Sequence, residues 1–215
     1  MKAIATTLTH RVMMPETGGS APHPALILLH GRGADEDDLV GITQDLDERL
    51  LVLSARAPFP FPYGGFTWYD AGADGTPDPL HFAESCNRLS AFIDDVLRSY
   101  PVDADRLFLL GFSMGAVMSL VAGLTRPEKF RGVSANSGYL PEHAGVHYRW
   151  DALASLNIFL AHGTQDPVVP VELARRAKDL LTDTCPLLRY REYPVGHELS
   201  QQSVADIAAW MGPLL

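Results

Sequence analysis

The sequence predicts an α/β fold in which a mostly parallel sheet carries helices on both of its faces. Short, continuous apolar runs such as Ala25–Leu29 are typical of strands that are buried on both sides. Segments with apolar residues at helical spacing lie between these runs, as expected for parallel strands joined by crossover helices. A length of 215 residues suits one domain, so residues 1–215 are predicted to form a single unit.

Six short segments are predicted to form the core strands of this sheet. In chain order they are Ala25–Leu29, Leu50–Ser54, Arg106–Gly111, Arg131–Asn136, Ile158–Ala161 and Leu187–Tyr193. The first of them is entirely apolar and is soon followed by glycines, which is typical of a buried strand. Residues Ile4–Met13 are expected to add an antiparallel strand at one edge.

Helices are predicted where apolar residues recur at intervals of three and four. The clearest stripe consists of Phe82, Cys86, Leu89, Ile93 and Val96. Similar patterns cover Val171–Leu181 and Ser200–Met211, and another helix follows residue 113. The acidic run Asp35–Asp38 is interpreted as a helix N-terminus, with Asp35 as the N-cap and Asp38 at the capping-box position.

The segment Pro58–Pro79 is rich in proline, glycine and aromatic residues and has no regular period. A loop of this length inside a compact domain is usually functional or disordered. Its aromatic residues favour an ordered loop that lines an apolar site.

Composition and charge exclude several classes of function. The formal net charge is -9, from 17 basic and 26 acidic residues, which argues against nucleic acid or an anionic membrane surface as a partner. Neither Cys86 nor Cys185 has metal-type spacing, and no metal or cofactor is predicted. The N-terminal residues lack the apolar core of a signal peptide, and no run reaches the length of a membrane helix, so we expect a cytoplasmic protein without stable membrane insertion.

Residues 111–115, GFSMG, place a serine at the point where a strand should turn into a helix. A serine hydroxyl needs a base to accept its proton and donors to hold the oxyanion that forms. A sharp strand–helix turn presents such a side chain above the sheet and requires small neighbours, here Gly111, Gly115 and Ala116. Ser113 is therefore the predicted nucleophile of a G-x-S-x-G turn.

The base and its acid are expected to follow the serine in the order acid, then histidine. Asp166 comes just after the fifth core strand and His197 just after the sixth, so both should emerge at the carboxyl edge with Ser113. The other candidates fit less well because of where they fall: Asp151, Asp179, Asp183, Glu198, His143, His147 and His162. His162 is interpreted as a structural residue at a strand end.

Two backbone N–H groups are predicted to form the oxyanion hole. Met114 supplies one from the first turn of the helix, where the helix dipole also favours negative charge. Arg32 is the candidate for the other, because it follows the first core strand and has glycines on both sides.

Five segments in order resemble the phospholipase/carboxylesterase family of small α/β-hydrolases, which includes bacterial carboxylesterases and acyl-protein thioesterases. They are LLHGRGADEDDL, WYD, GFSMG, HGTQDPVVP and YPVGHELS, and the resemblance runs from about Ala25 to the C-terminus. It implies an α/β-hydrolase fold without a large cap domain. It also implies Ser113, Asp166 and His197 as the triad, with Arg32 and Met114 as oxyanion donors.

The predicted function is serine carboxylesterase activity through an acyl-enzyme intermediate. The substrates are expected to be carboxylic esters with short to medium acyl chains, and thioesters and lysophospholipid esters are the other substrate types considered. The resemblance also implies that Trp68, in the aromatic loop, helps to shape the acyl pocket, and Trp68 and Phe66 are predicted to contact substrate. Exposed apolar residues around an open groove suggest a homodimer. The alternatives are an acyltransferase or peptidase that uses the same triad, and a non-catalytic binding protein on the same fold.

Overall fold

The computed structural model describes residues 4–17, 19–72, 75–142 and 145–215, which form a seven-stranded sheet, a two-stranded hairpin and four α-helices. The strands are β1 (His10–Met13), β2 (His23–Leu29), β3 (Leu51–Ala55), β4 (Phe59–Pro60), β5 (Phe66–Thr67), β6 (Val102–Phe112), β7 (Gly132–Asn136), β8 (Asn157–Gly163) and β9 (Leu188–Tyr193). The helices are α1 (Pro79–Ser99), α2 (Met114–Thr125), α3 (Val171–Thr182) and α4 (Gln201–Met211).

The main sheet has the strand order β1-β3-β2-β6-β7-β8-β9. Only β1 is antiparallel to its neighbour, and the other pairs in this sheet are parallel, which confirms the predicted architecture. All six predicted core strands form, and their carboxyl ends meet at one edge of the sheet. In the described part of the connection between β7 and β8, the helical structure is limited to a 3-10 turn, Trp150–Ala152, and no large cap is present there.

Two apolar clusters cover the two faces of the sheet because side chains alternate along each strand. Along β2, Ala25 and Ile27 join the cluster that includes residues of α1, α2 and α3. Leu26 and Leu28 join the opposite cluster, which contains residues of α4 and of a 3-10 helix, Asp38–Asp45. Helices therefore lie on both faces, as predicted.

The edge strand β1 is shorter than the predicted Ile4–Met13, and it is held by a buried polar contact. His10 is only 7% exposed, and its Nε2 lies 2.6 Å from the Tyr100 hydroxyl at the end of α1. The Leu8 carbonyl lies 3.1 Å from Nδ1 on the other side of the ring. Burial lowers the pKa of His10, although the Leu8 carbonyl and the charge of Glu36 partly oppose this effect.

The prediction that Asp35 caps a helix is wrong. The 3-10 helix begins at Asp38, its N-cap residue is Asp37, and no side chain caps it. The Asp35 carboxylate instead accepts the Asp37 N–H at 2.9 Å, so it closes a tight turn before the helix. Glu36 turns away from this run and pairs with Arg56.

The segment Pro58–Pro79 is ordered where it is described, and it contains a small hairpin formed by β4 and β5. A bridge between Ala34 and Phe66 ties this hairpin to the loop after β2. Residues 73 and 74 of the segment lie outside the described residues. The loop is therefore part of the structure that surrounds the carboxyl edge of the sheet.

None of the helices in the described residues combines the length and the apolar character that a membrane span requires. Both cysteines are free, and burial raises their thiol pKa values, that of Cys86 to about 11.

Helix α4 is docked on the sheet by Trp210. Its ring centroid lies 6.4 Å from that of Phe108 on β6 and 5.7 Å from that of Phe159 on β8. Gly132 on β7 lies beneath the indole, where an added Cβ would come within 2.8 Å of the ring. This packing fixes the helix that follows the loop carrying His197.

We predict that Trp210→Ala destabilises the protein by about 3–5 kcal/mol, because it leaves a large cavity between three elements. The free energy of unfolding, measured by urea denaturation, tests this value. Leu80→Ala is the control, since Leu80 is 80% exposed on α1 and its truncation should cost less than about 0.5 kcal/mol. Equal stabilities of the two variants would contradict the prediction.

Candidate active site

Ser113 occupies the turn between β6 and α2 in a left-handed backbone conformation, with φ 55° and ψ −120°. A residue other than glycine pays on the order of 1–3 kcal/mol for such a conformation. The Ser113 N–H donates to the Asn136 carbonyl at 2.9 Å, and its own carbonyl accepts from Ala116 and Val117. These bonds hold the strained turn, which presents the hydroxyl at the carboxyl edge.

The two glycines of the GFSMG segment are required by close backbone approach. A Cβ at Gly111 would lie 2.1 Å from the Gly115 carbonyl oxygen. A Cβ at Gly115 would lie 1.9 Å from the carbonyl oxygen of Leu29, at the end of β2. Since neither distance admits a carbon atom, the turn exists only with glycine at both positions.

Asp166 lies in the loop between β8 and α3 with a side chain that is inaccessible to solvent. Its Oδ1 accepts the N–H groups of Val168 and Val169 at 2.8 and 2.9 Å. Burial acts to raise the pKa of Asp166, but the Val169 N–H, the His197 imidazole and the Val168 N–H together outweigh it and lower that pKa. The carboxylate is therefore held ionised.

His197 joins Asp166 to Ser113. Its Nδ1 lies 2.6 Å from Asp166 Oδ2, and its Nε2 lies 3.0 Å from Ser113 Oγ. An ionised carboxylate can only accept, so Nδ1 carries the proton and Nε2 is left to accept the serine hydroxyl. The ring also packs against Phe112, with 4.8 Å between centroids.

The loops that carry the acid and the base are packed directly on each other. The Thr164 N–H donates to the Tyr193 carbonyl, and the Gln165 N–H donates to the Val195 carbonyl. A Cβ at Gly163 would lie 2.2 Å from the carbonyl oxygen of Gly196, next to His197. This contact sets the separation between Asp166 and His197.

Most of the competing acids and histidines that the structure describes lie in other elements, and Glu198 is exposed next to His197 in the chain. Asp179 is within α3 and Asp183 at its end, while Asp151 lies in the 3-10 turn before β8. His147 is exposed, and His143 lies outside the described residues. His162, in contrast, is buried with its Nε2 only 3.3 Å from Asp166 Oδ2, a contact that sequence reasoning missed.

The loop after β2 is oriented by His30, which sequence analysis treated only as part of a loop. The Ala57 N–H donates to His30 Nε2 at 3.0 Å, so the proton is on Nδ1, which lies 2.6 Å from the Gly31 carbonyl oxygen. In a trans peptide the C=O and N–H point in opposite directions, so the Arg32 N–H points away from His30. Gly31 itself is next to the nucleophile, since a Cβ there would lie 3.2 Å from Ser113 Cβ.

The two predicted oxyanion donors have no competing acceptor in the part of the chain that the structure describes. The Arg32 N–H makes no backbone hydrogen bond there, and the Met114 N–H is the first of a helix, which has no partner inside that helix. Met114 directly follows Ser113 in the chain, and Gly31, which precedes Arg32, lies beside Ser113. Their role as oxyanion donors stays a prediction.

Trp68 and Phe66, the predicted substrate contacts, bond the backbone of the loop after β2, and their contact with substrate stays a prediction. Trp68 is 0% exposed, and its indole N–H donates to the His30 carbonyl at 2.9 Å. The Phe66 N–H donates to the Ala34 carbonyl, and its own carbonyl accepts from Gly33. Because the indole of Trp68 is fully buried, it does not line an open groove.

Tyr139 is a second residue near the nucleophile that sequence reasoning missed. The preceding Gly138 packs against α2, where an added Cβ would come within 3.1 Å of the Ser113 carbonyl oxygen. The Tyr139 hydroxyl lies 3.4 Å from that of the buried Tyr69. Tyr69 is only 1% exposed, whereas Tyr139 is half-buried. No cluster of three or more possible metal ligands occurs among the described residues.

The sequence and structure are similar to those of known hydrolases. The profile of the phospholipase/carboxylesterase family matches residues 12–213. Acyl-protein thioesterase 1 of Mycosarcoma maydis is 28% identical over 220 residues, covering 90% of this chain and 92% of the relative.

Two solved structures share the fold. Esterase PE8 has a TM-score of 0.83 and 25% identity, over 97% of this chain and 99% of its own. The Bacillus cereus carboxylesterase has a TM-score of 0.82 and 23% identity, over 97% of this chain and 95% of its own.

We predict that the protein loses stability on acidification below about pH 6.5, because two buried histidines must be charged in the unfolded chain. Burial lowers the pKa of both His10 and His30. As pH falls, the unfolded chain takes up these protons before the folded chain does. The free energy of unfolding therefore falls by at most about 1.4 kcal/mol per pH unit for each histidine, until the folded groups also protonate.

Urea denaturation between about pH 8 and 5 measures this dependence. The His10→Gln variant should show a shallower fall, because one of the two groups is gone. His147→Gln removes an exposed histidine and should leave the slope unchanged. A His10→Gln slope equal to that of the unmodified protein would contradict the prediction.

Proposed function

The chain belongs to the phospholipase/carboxylesterase family, and from this we propose that Ser113, His197 and Asp166 carry out its reaction as nucleophile, base and acid. The protein is a serine hydrolase that acts on esters of carboxylic acids or thioesters. The observation that supports the residue assignment is the hydrogen-bonded line from Asp166 Oδ2 through the imidazole to Ser113 Oγ, with steps of 2.6 and 3.0 Å.

In the acylation step His197 Nε2 accepts the hydroxyl proton as Ser113 Oγ attacks the carbonyl carbon of the ester. The imidazole becomes a cation that faces the Asp166 carboxylate. Because two backbone N–H groups already hold this carboxylate, it supports the cation without moving. The developing negative charge falls on the substrate's carbonyl oxygen.

The Arg32 and Met114 N–H groups are the proposed donors to this oxyanion. Two features support them: neither N–H is used within the described residues, and His30 orients the Gly31–Arg32 peptide. Loss of one such donor in other serine hydrolases costs about a hundredfold to a thousandfold in turnover. Collapse of the intermediate returns the proton from His197 to the leaving alcohol or thiol, and water then repeats the sequence to release the acid.

The proposed substrates are oxyesters and thioesters with short to medium acyl chains. The similarity to acyl-protein thioesterase 1 and to esterase PE8 supports both ester types. Tyr139 follows Gly138, which lies next to Ser113, and this placement supports an apolar acyl group near the nucleophile. In the described residues no large cap is present that would enclose a long acyl chain.

Replacement of Ser113 by alanine is expected to lower kcat/KM for p-nitrophenyl butyrate by at least about 10⁴-fold, because the attacking oxygen is removed. A fluorophosphonate probe should label the unmodified protein but not this variant. Ser155→Ala changes an exposed serine and is the control. Labelling of the Ser113→Ala protein, or its near-normal turnover, would refute the assignment.

Across p-nitrophenyl esters from acetate to palmitate, kcat/KM is expected to be highest between butyrate and octanoate. Without a large cap in the described residues, only the few methylene groups next to the nucleophile contact the protein, and each further methylene adds no binding. Acyl thioesters of N-acetylcysteamine with matched chains should also be hydrolysed. A maximum at palmitate would contradict the chain-length proposal and leave the triad assignment unaffected.

A further inference from the structure

His162 is a buried titratable residue that the proposed mechanism does not use. It lies near the carboxyl end of β8, and its side chain is 0% exposed. Its Nε2 is 3.3 Å from Asp166 Oδ2, the same oxygen that receives His197 Nδ1. Two imidazoles therefore approach one carboxylate.

The protonation of the His162 ring follows from its neighbours. Nε2 lies 2.8 Å from the Val169 carbonyl oxygen, which can only accept, so Nε2 carries a proton and donates it. Nδ1 is buried and has no hydrogen-bond partner within the described ranges. The ring is thus a donor through Nε2 in a single, defined direction.

Val169 links His162 to the acid. Its carbonyl accepts from His162, while its N–H donates to Asp166 Oδ1 at 2.9 Å. Val169 is thus bound through both its carbonyl and its N–H, and the second of these bonds holds the Asp166 carboxylate. Movement of the His162 ring would therefore move the Asp166 oxygen that faces His197.

Other charges around His162 are already paired. Glu192 is its register partner on β9, and the Arg175 guanidinium binds this carboxylate at 2.7 and 2.8 Å. The acids that face the ring are thus Asp166 and Glu192, and the charge of Glu192 is balanced by Arg175. The donor direction of Nε2 is consequently determined by Val169 and Asp166.

We propose that His162 is a positioning residue for the triad: through Val169 it fixes the Asp166 carboxylate at hydrogen-bond distance from His197 Nδ1. This inference rests on the proposed function, because Asp166 must orient the base for the position to matter. The required feature is a donor at the place of Nε2.

Glutamine and asparagine at this position place the same amide donor at different distances from the backbone. The amide nitrogen of glutamine at position 162 can lie where Nε2 lies, whereas that of asparagine reaches only to the place of Nδ1. We expect His162→Gln to keep kcat within about threefold of the unmodified enzyme, and His162→Asn to lower kcat by about 10–100-fold. KM should change little in either variant, since the substrate does not contact this side chain. His147→Gln is the control for loss of a histidine.

The low-field proton resonance of the bond between His197 Nδ1 and Asp166 provides a readout that does not depend on turnover. It should persist in His162→Gln and disappear or broaden in His162→Asn. The thermal unfolding midpoint is measured for both variants. Normal kcat and an intact resonance in His162→Asn would overturn the proposal, and so would an equal loss in both variants. If the unmodified protein shows the resonance but no Ser113-dependent turnover, the proposed function fails and the resonance still tests the position of Asp166.

Discussion

The structure depends on one close backbone crossing, where the turn at Ser113 passes over the end of β2. Gly115 lies so near the Leu29 carbonyl that a Cβ there would be 1.9 Å from its oxygen. This crossing joins the two strands whose following loops carry the nucleophile and the Gly31–Arg32 peptide. A looser turn would separate these groups. The same crossing therefore causes the strained backbone at Ser113 and keeps the nucleophile close to the Gly31–Arg32 peptide.

A second constraint is that buried polar groups need partners, and here each partner sets the direction of the next group. The Val168 and Val169 N–H groups keep Asp166 ionised, and the ionised carboxylate determines which nitrogen of His197 carries the proton. The free nitrogen then faces Ser113.

The loop after β2 follows the same logic. The Ala57 N–H selects the tautomer of His30, and His30 then orients the Gly31 carbonyl. The Trp68 indole holds the His30 carbonyl from below, and the hairpin residue Phe66 holds Gly33 and Ala34. In the described residues, the aromatic segment thus serves the active site by supporting a loop.

The sequence by itself determined the fold class, the core strands and helices, and which loops emerge at the carboxyl edge, because these follow from local apolar periodicity and chain order. It also predicted the three residues that the structure brings into one hydrogen-bonded line. Only the tertiary structure decided that Asp35 closes a turn instead of capping a helix, that Trp68 is buried, that His30 contacts the Gly31 carbonyl, and that His162 lies beside Asp166. Each of these outcomes depends on which hydrogen-bond donor or acceptor lies next to a side chain in the folded protein. The spacing of residues along the chain does not determine these partners.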